Sequence, residues 1–129
     1  MTDDLTLAQP PAPGRTRELW LQHLAGWILF RDVRDYARSR LSSALDDEAR
    51  TAALEAIDDA VYGLMMVLDG ITGGLKNDDW SVDLHTSVRL RKGTAVIDQV
   101  DLFEGDGMCM GFRYWLEGDF GETPIVSLP

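Results

Sequence analysis

A chain of 129 residues, 45% apolar and 26% charged, is long enough for one domain with its own core and needs no metal or disulfide staple. A formal net charge of −10 works against binding a phosphate backbone and leaves basic partners open. The single cysteine, Cys109, excludes an intramolecular disulfide and a zinc site built from cysteines.

The opening Met1-Thr2-Asp3-Asp4 has neither the basic n-region nor the apolar h-region of a secretory signal. The longest apolar run, around Leu24 to Phe30, is too short to span a bilayer. The expected compartment is the cytoplasm, with no membrane and no nucleic acid as partner. Residues 1–14 hold Pro10, Pro11, Pro13 and Gly14 without a hydrophobic period and read as a disordered tail. Residues 15–129 read as a single domain.

From Arg17 to Ser43 the spacing predicts a first helix. Trp20, Leu24, Trp27, Ile28, Val33, Ala37, Leu41 and Leu45 recur mostly every three or four residues, and arginines and aspartates fill much of the rest. Asp46-Asp47-Glu48 is a start signal for a second helix, because a carboxylate can accept from free backbone N–H groups at the positive end of the dipole. Ala53, Ile57, Val61, Leu64 and Leu68 form its apolar face, and Gly70 ends it. The short link between the two implies an antiparallel helical hairpin.

After Asn77 the period becomes two. Trp80, Val82, Leu84, Thr86, Val88 and Leu90 alternate with polar residues and predict one long strand. Lys92-Gly93 turns the chain into a second strand over 94–103, and Gly105-Asp106-Gly107 into a third over 108–117. Residues 118–129 read as an arm or edge strand. The expected fold is α+β: an N-terminal antiparallel two-helix hairpin packed on an antiparallel β-meander of three to four strands. The order contains no βαβ unit, so no dinucleotide-binding crossover is expected.

Glu55, Asp58 and Asp59 stand at i, i+3 and i+4 on the second helix, with Tyr62 one turn on. Clustered carboxylates are what Mg²⁺ requires, so they are the metal candidates; the competing reading is a solvated acidic face beside the arginines of the first helix. Gly105-Asp106-Gly107 fails as an EF-hand, since either register puts Leu102 or Val100 at the first ligand position. Gly70 to Lys76 lacks the Gly-Lys-Ser/Thr ending of a phosphate loop. His23 and His85 have no partnered nucleophile, so a hydrolase site is not indicated. Strand alternation over 108–117 would send Cys109 away from Met108 and Met110, and would place Arg113 and Trp115 together on a polar face. Tyr62, Met66, Arg113 and Trp115 are therefore the ligand or interface candidates, since Trp, Tyr and Arg favour interfaces.

Two stretches, Ala56-Ile57-Asp58-Asp59-Ala60-Val61-Tyr62-Gly63-Leu64-Met65-Met66 and Gly105-Asp106-Gly107-Met108-Cys109-Met110-Gly111-Phe112, resemble a family of small uncharacterised bacterial proteins. The resemblance extends over about the last two-thirds of the chain and implies a bacterial intracellular origin. That family brings no established activity, cofactor or catalytic residue.

With no nucleophile–base set, the expected function is a non-catalytic, acidic protein-interaction module. It would self-associate or bind a partner, one form being an immunity-type protein that neutralises a basic toxin. The alternatives are a Mg²⁺-dependent enzyme acting on a phosphorylated small molecule, with Glu55, Asp58 and Asp59 as ligands, and a small-ligand site between helices and sheet lined by Tyr62, Met66 and Trp115. No other cofactor is expected.

Overall fold

The computed structural model describes residues 2, 5–121 and 124–127. The first helical stretch runs as α1 (Arg15–Leu29), a π-helical segment (Phe30–Asp35) and the single turn α2 (Tyr36–Ser39). Within the π-helical segment, Phe30 is buried among aromatic rings, and Arg34 reaches Asp58 on the next helix. Helix α3 (Asp47–Leu68) starts where the sequence signals it: the Asp46 carboxylate accepts from the Ala49 N–H at 2.8 Å. It ends with Gly70 at φ 72°, the Gly70 N–H reaching the Val67 carbonyl and the Ile71 N–H the Met66 carbonyl. This pairing satisfies two of the last carbonyls and needs a residue that tolerates positive φ. α3 packs on the π-helical segment, on α2 and on the helix that follows the strands.

The molecule is α+β, but the expected meander does not form. Instead there are three separate two-stranded antiparallel sheets among the described residues. The long strand read from Trp80 to Arg91 is divided. Its first part, β3 (Ser81–Asp83), pairs with β2 (Gly74–Lys76), while its second, β4 (Ser87–Lys92), pairs with β5 (Ala95–Asp101). The period of two continues through Leu84 to Thr86, but no partner strand lies there, and pairing rather than alternation makes a strand. Gly93, at φ 62°, turns β4 into β5. Strand β6 (Ile125–Ser127) pairs with β1 (Thr6–Leu7), inside the segment read as a disordered tail. There the Ala8 N–H also reaches the Pro124 carbonyl and the Arg17 guanidinium donates to the Pro11 carbonyl.

The expected third strand is helix α4 (Met108–Leu116). Its apolar residues satisfy a helical spacing as well as an alternating one, because Met108, Phe112 and Trp115 fall at i, i+4 and i+7. Those three are buried while Met110, Arg113 and Tyr114 face solvent. This corrects the face assignment made from alternation, in which Trp115 and Arg113 stood together. Gly118 at φ 80° closes the helix, with the Gly118 N–H on the Trp115 carbonyl and the Asp119 N–H on that of Tyr114.

α4 sits at the centre. Met108, Phe112 and Trp115 meet Ala25 and Phe30 on one side and Val61 and Met65 on the other, with Leu102 completing the cluster. A second cluster, Trp20, Leu21, Leu90 and Val100, fixes the β4–β5 hairpin on α1. Met65 and Met108 have no exposed surface, and full burial of such a side chain stabilises by roughly 1.5–3 kcal/mol relative to leaving it in water. Among the described residues no helix is long and apolar enough to cross a membrane.

Candidate functional site

The carboxylates expected as metal ligands are not assembled into a cage. Asp58 is held by Arg34, whose Nε donates at 2.6 Å and whose second nitrogen donates at 3.3 Å, while Glu55 and Asp59 are exposed. Among the described residues, no three His, Cys, Asp or Glu side chains are grouped to hold a metal ion. The partnership foreseen between the acidic face and the arginines of the first helix is realised at this one pair.

Of the four ligand or interface candidates, two belong to the core. Trp115 is 3% exposed, and Tyr62 is half-buried with its ring tilted against Phe112, centroids 5.3 Å apart. Met66 is half-buried on α3, and Arg113 is exposed on α4. The four do not line a common cavity.

A small cleft does open where α1 meets α4 and the segment after it. Its walls include Gln22, His23, Asp106, Tyr114, Trp115 and Asp119, and it encloses about 210 Å³. That is below the roughly 300–1,000 Å³ typical of sites for drug-sized ligands. The Trp115 Nε1–H donates to His23 Nδ1 at 3.0 Å, and an indole nitrogen can only donate. Neutral His23 must therefore carry its proton on Nε2. Burial pushes its pKa below the ordinary imidazole value, against the opposite pull of Asp119 and Asp106. With one nitrogen engaged and the other protonated, the ring has no lone pair with which to activate a nucleophile. The Cys109 thiol pKa is pushed up by burial and further by Asp69, which works against the nucleophilic thiolate. Across the cleft mouth Arg15 pairs with Asp106 at 3.1 Å, both more than half exposed.

An uncovered apolar surface lies elsewhere, on the β2–β3 hairpin. Leu75 and Val82 stand directly opposite one another in its register and so share a face. They are 77% and 67% exposed, Trp80 is 77% exposed, and Ile71 and Leu84, just outside the two strands, are exposed as well. Of the four tryptophans, Trp20 and Trp115 are buried, Trp27 is half-buried, and Trp80 alone stands in solvent. The hairpin turn is built by Asn77, whose side-chain oxygen accepts from the Asp79 and Trp80 N–H groups, both at 2.9 Å, while its own N–H reaches the Trp80 carbonyl. Asp78 and Asp79 form the tip and Asp83 ends the second strand, against one lysine, Lys76.

A second apolar feature is a groove between α1 and β4. One lobe, of about 400 Å³, is floored by Ile28, Leu29, Leu64, Leu68, Val88 and Leu102 and rimmed by Arg89 and Arg91. Another, of about 290 Å³, continues from Ile28 and Val88 towards Leu24 and Trp27. Sequence reasoning missed both surfaces. Trp80, Val82 and Leu84 read there as the core-facing side of a long strand, and no local signal marks where that strand loses its partner.

Compared with protein-family models, with curated proteins and with solved structures, the chain matches none of them.

Proposed function

We propose that this chain is a non-catalytic protein-interaction module that docks through the β2–β3 hairpin. The observation that carries the reading is the apolar face on which Leu75, Trp80 and Val82 come together, each at least 67% exposed. Single apolar residues on a surface are ordinary, whereas a contiguous patch on a projecting element marks an interaction site. A two-stranded hairpin that packs on nothing is marginally stable in water, so a partner surface supplies what the rest of the chain does not. Trp80 is the natural anchor, since tryptophans dominate binding energy when they enter a pocket on the partner. The charge of −10 favours fast encounter with basic surfaces and disfavours acidic ones. The state of His23 and Cys109 supports a non-catalytic role.

The test is co-precipitation from the source cells with the parent chain and with a Leu75→Ser/Trp80→Ser double variant. Loss of the captured proteins, with the unfolding midpoint of the isolated chain unchanged, is the expected result. Equal capture by both chains would count against the hairpin as the docking surface.

A further inference from the structure

We propose that the β2–β3 hairpin of one copy seats in the α1–β4 groove of a second copy, the two copies exchanging hairpins about a two-fold axis. This rests on the interaction reading above and adds both the partner and the receiving surface. The two surfaces are complementary in shape class: one is a projecting apolar face with Trp80 at its edge, the other an apolar trough floored by Ile28, Val88 and Leu102. They are also complementary in charge. The hairpin carries Asp78, Asp79 and Asp83 against Lys76, and the groove is rimmed by Arg89 and Arg91. Neither arginine is in an ion pair among the described residues, although the chain has 22 acidic side chains for 12 Lys and Arg. Two uncommitted arginines at the mouth of an apolar groove match the acidic hairpin that such a chain presents.

Two simpler occupants fit less well. Hairpin packed on hairpin would gather the aspartates of both copies with only Lys76 to offset them, and like charges in contact are costly. The chain's own hairpin is joined to β4 by Leu84 to Thr86 alone, a link that spans at most about 10 Å. Thr86 of that link lines the groove itself, yet Leu75 and Trp80 stay exposed rather than seated in it. A hairpin-in-groove contact made once would propagate into a filament. Made reciprocally, it closes into a pair.

The experiment is sedimentation of the full chain from micromolar to millimolar concentration, for the parent, for a hairpin variant (Trp80→Ser) and for a groove variant (Arg89→Glu/Arg91→Glu). The parent should form dimers, and each variant should dimerise at least about tenfold more weakly, as for loss of a central aromatic anchor or a paired charge. An equimolar mixture of the two variants should form a mixed dimer more readily than either forms its own, because one intact hairpin then meets one intact groove. Dimerisation lost in the hairpin variant but untouched in the groove variant would assign hairpin-to-hairpin packing and overturn the proposal. Assemblies larger than two would overturn the closed pair. A monomer whose unfolding midpoint falls in both variants would place the hairpin on its own groove, which also overturns it. If the parent is monomeric throughout while the co-precipitation above depends on Trp80, this proposal fails and the interaction reading stands. If neither depends on Trp80, both fail.

Discussion

At the scale of single residues, Trp115 constrains both helices that flank it. A Cβ placed on Gly26 of α1 or Gly111 of α4 would collide with its indole, far inside any real contact. Both helices approach the ring this closely only because neither position bears a side chain. Phe120 stacks on the ring at an interplanar angle of 7°, and Phe30 meets it edge-on. Gly26→Ala and Gly111→Ala should each destabilise by about 1–3 kcal/mol, the usual cost of overpacking, measurable as a lower urea midpoint with an unchanged slope. The same tryptophan ties the core to pH through its bond to His23. Protonating the ring would set an Nδ1–H against the indole N–H, and burial holds the folded-state pKa below the ordinary imidazole value. The folded state therefore binds fewer protons than the unfolded one as pH falls below about 6.5, so stability present at neutral pH is lost on acidification. Thermal unfolding at pH 7.5 and pH 5.5 should separate the parent more than it separates His23→Gln. Equal pH dependence in the two chains would contradict a coupling through the Trp115–His23 bond.

At the scale of elements, α4 depends on a cap supplied from a distance. Its N-cap position is Gly107, which has no side chain, and the orphan N–H groups of Met108 and Cys109 are met by the two carboxylate oxygens of Asp69 at 2.6 and 2.8 Å. Asp69 stands at the C-terminus of α3, where a negative charge opposes that helix's dipole, and it is stabilised by facing the N-terminus of α4 instead. Asp69→Ala should cost about 1–2 kcal/mol, and Asp69→Asn, which keeps one acceptor, less. Hydrogen exchange at Met108 to Phe112 should quicken before that of α3. This arrangement also explains which elements were legible from sequence. For α3, the Asp46 cap and the Gly70 stop adjoin the helix they define, so reading along the chain finds both. The cap of α4 comes from 39 residues upstream, and its apolar spacing fits either period. The one local sign was Gly118, which ends a helix as readily as it follows a strand. The break between β3 and β4 was invisible for a related reason: strand pairing is a property of two segments, and residues 84–86 keep the alternation of their neighbours while only Thr86, accepting from the Leu102 N–H, holds a backbone bond to the next segment.

At the scale of the whole molecule, the core and the candidate interface lie apart. α1, α3 and α4 with the β4–β5 hairpin enclose the buried clusters, while the β2–β3 hairpin adds apolar surface and no burial. Replacing Leu75 or Trp80 by serine should therefore change the stability of the isolated chain by no more than about 0.5 kcal/mol. Comparable replacements at Trp20 or Phe112 should cost several. The sequence offered Trp115 as an exposed interface candidate, whereas the tryptophan that stands in solvent is Trp80. The exchange follows from α4, since a helix buries Trp115 with Met108 and Phe112 where a strand would have turned it outward. The measurement that bears most directly on the account is amide hydrogen exchange at Leu75 to Val82 in dilute and in concentrated solution. Protection of these amides that rises with concentration, and is lost in the Trp80→Ser variant, is the result expected of a docking hairpin. Exchange at the rate of an open hairpin under every condition, in both chains, would contradict it.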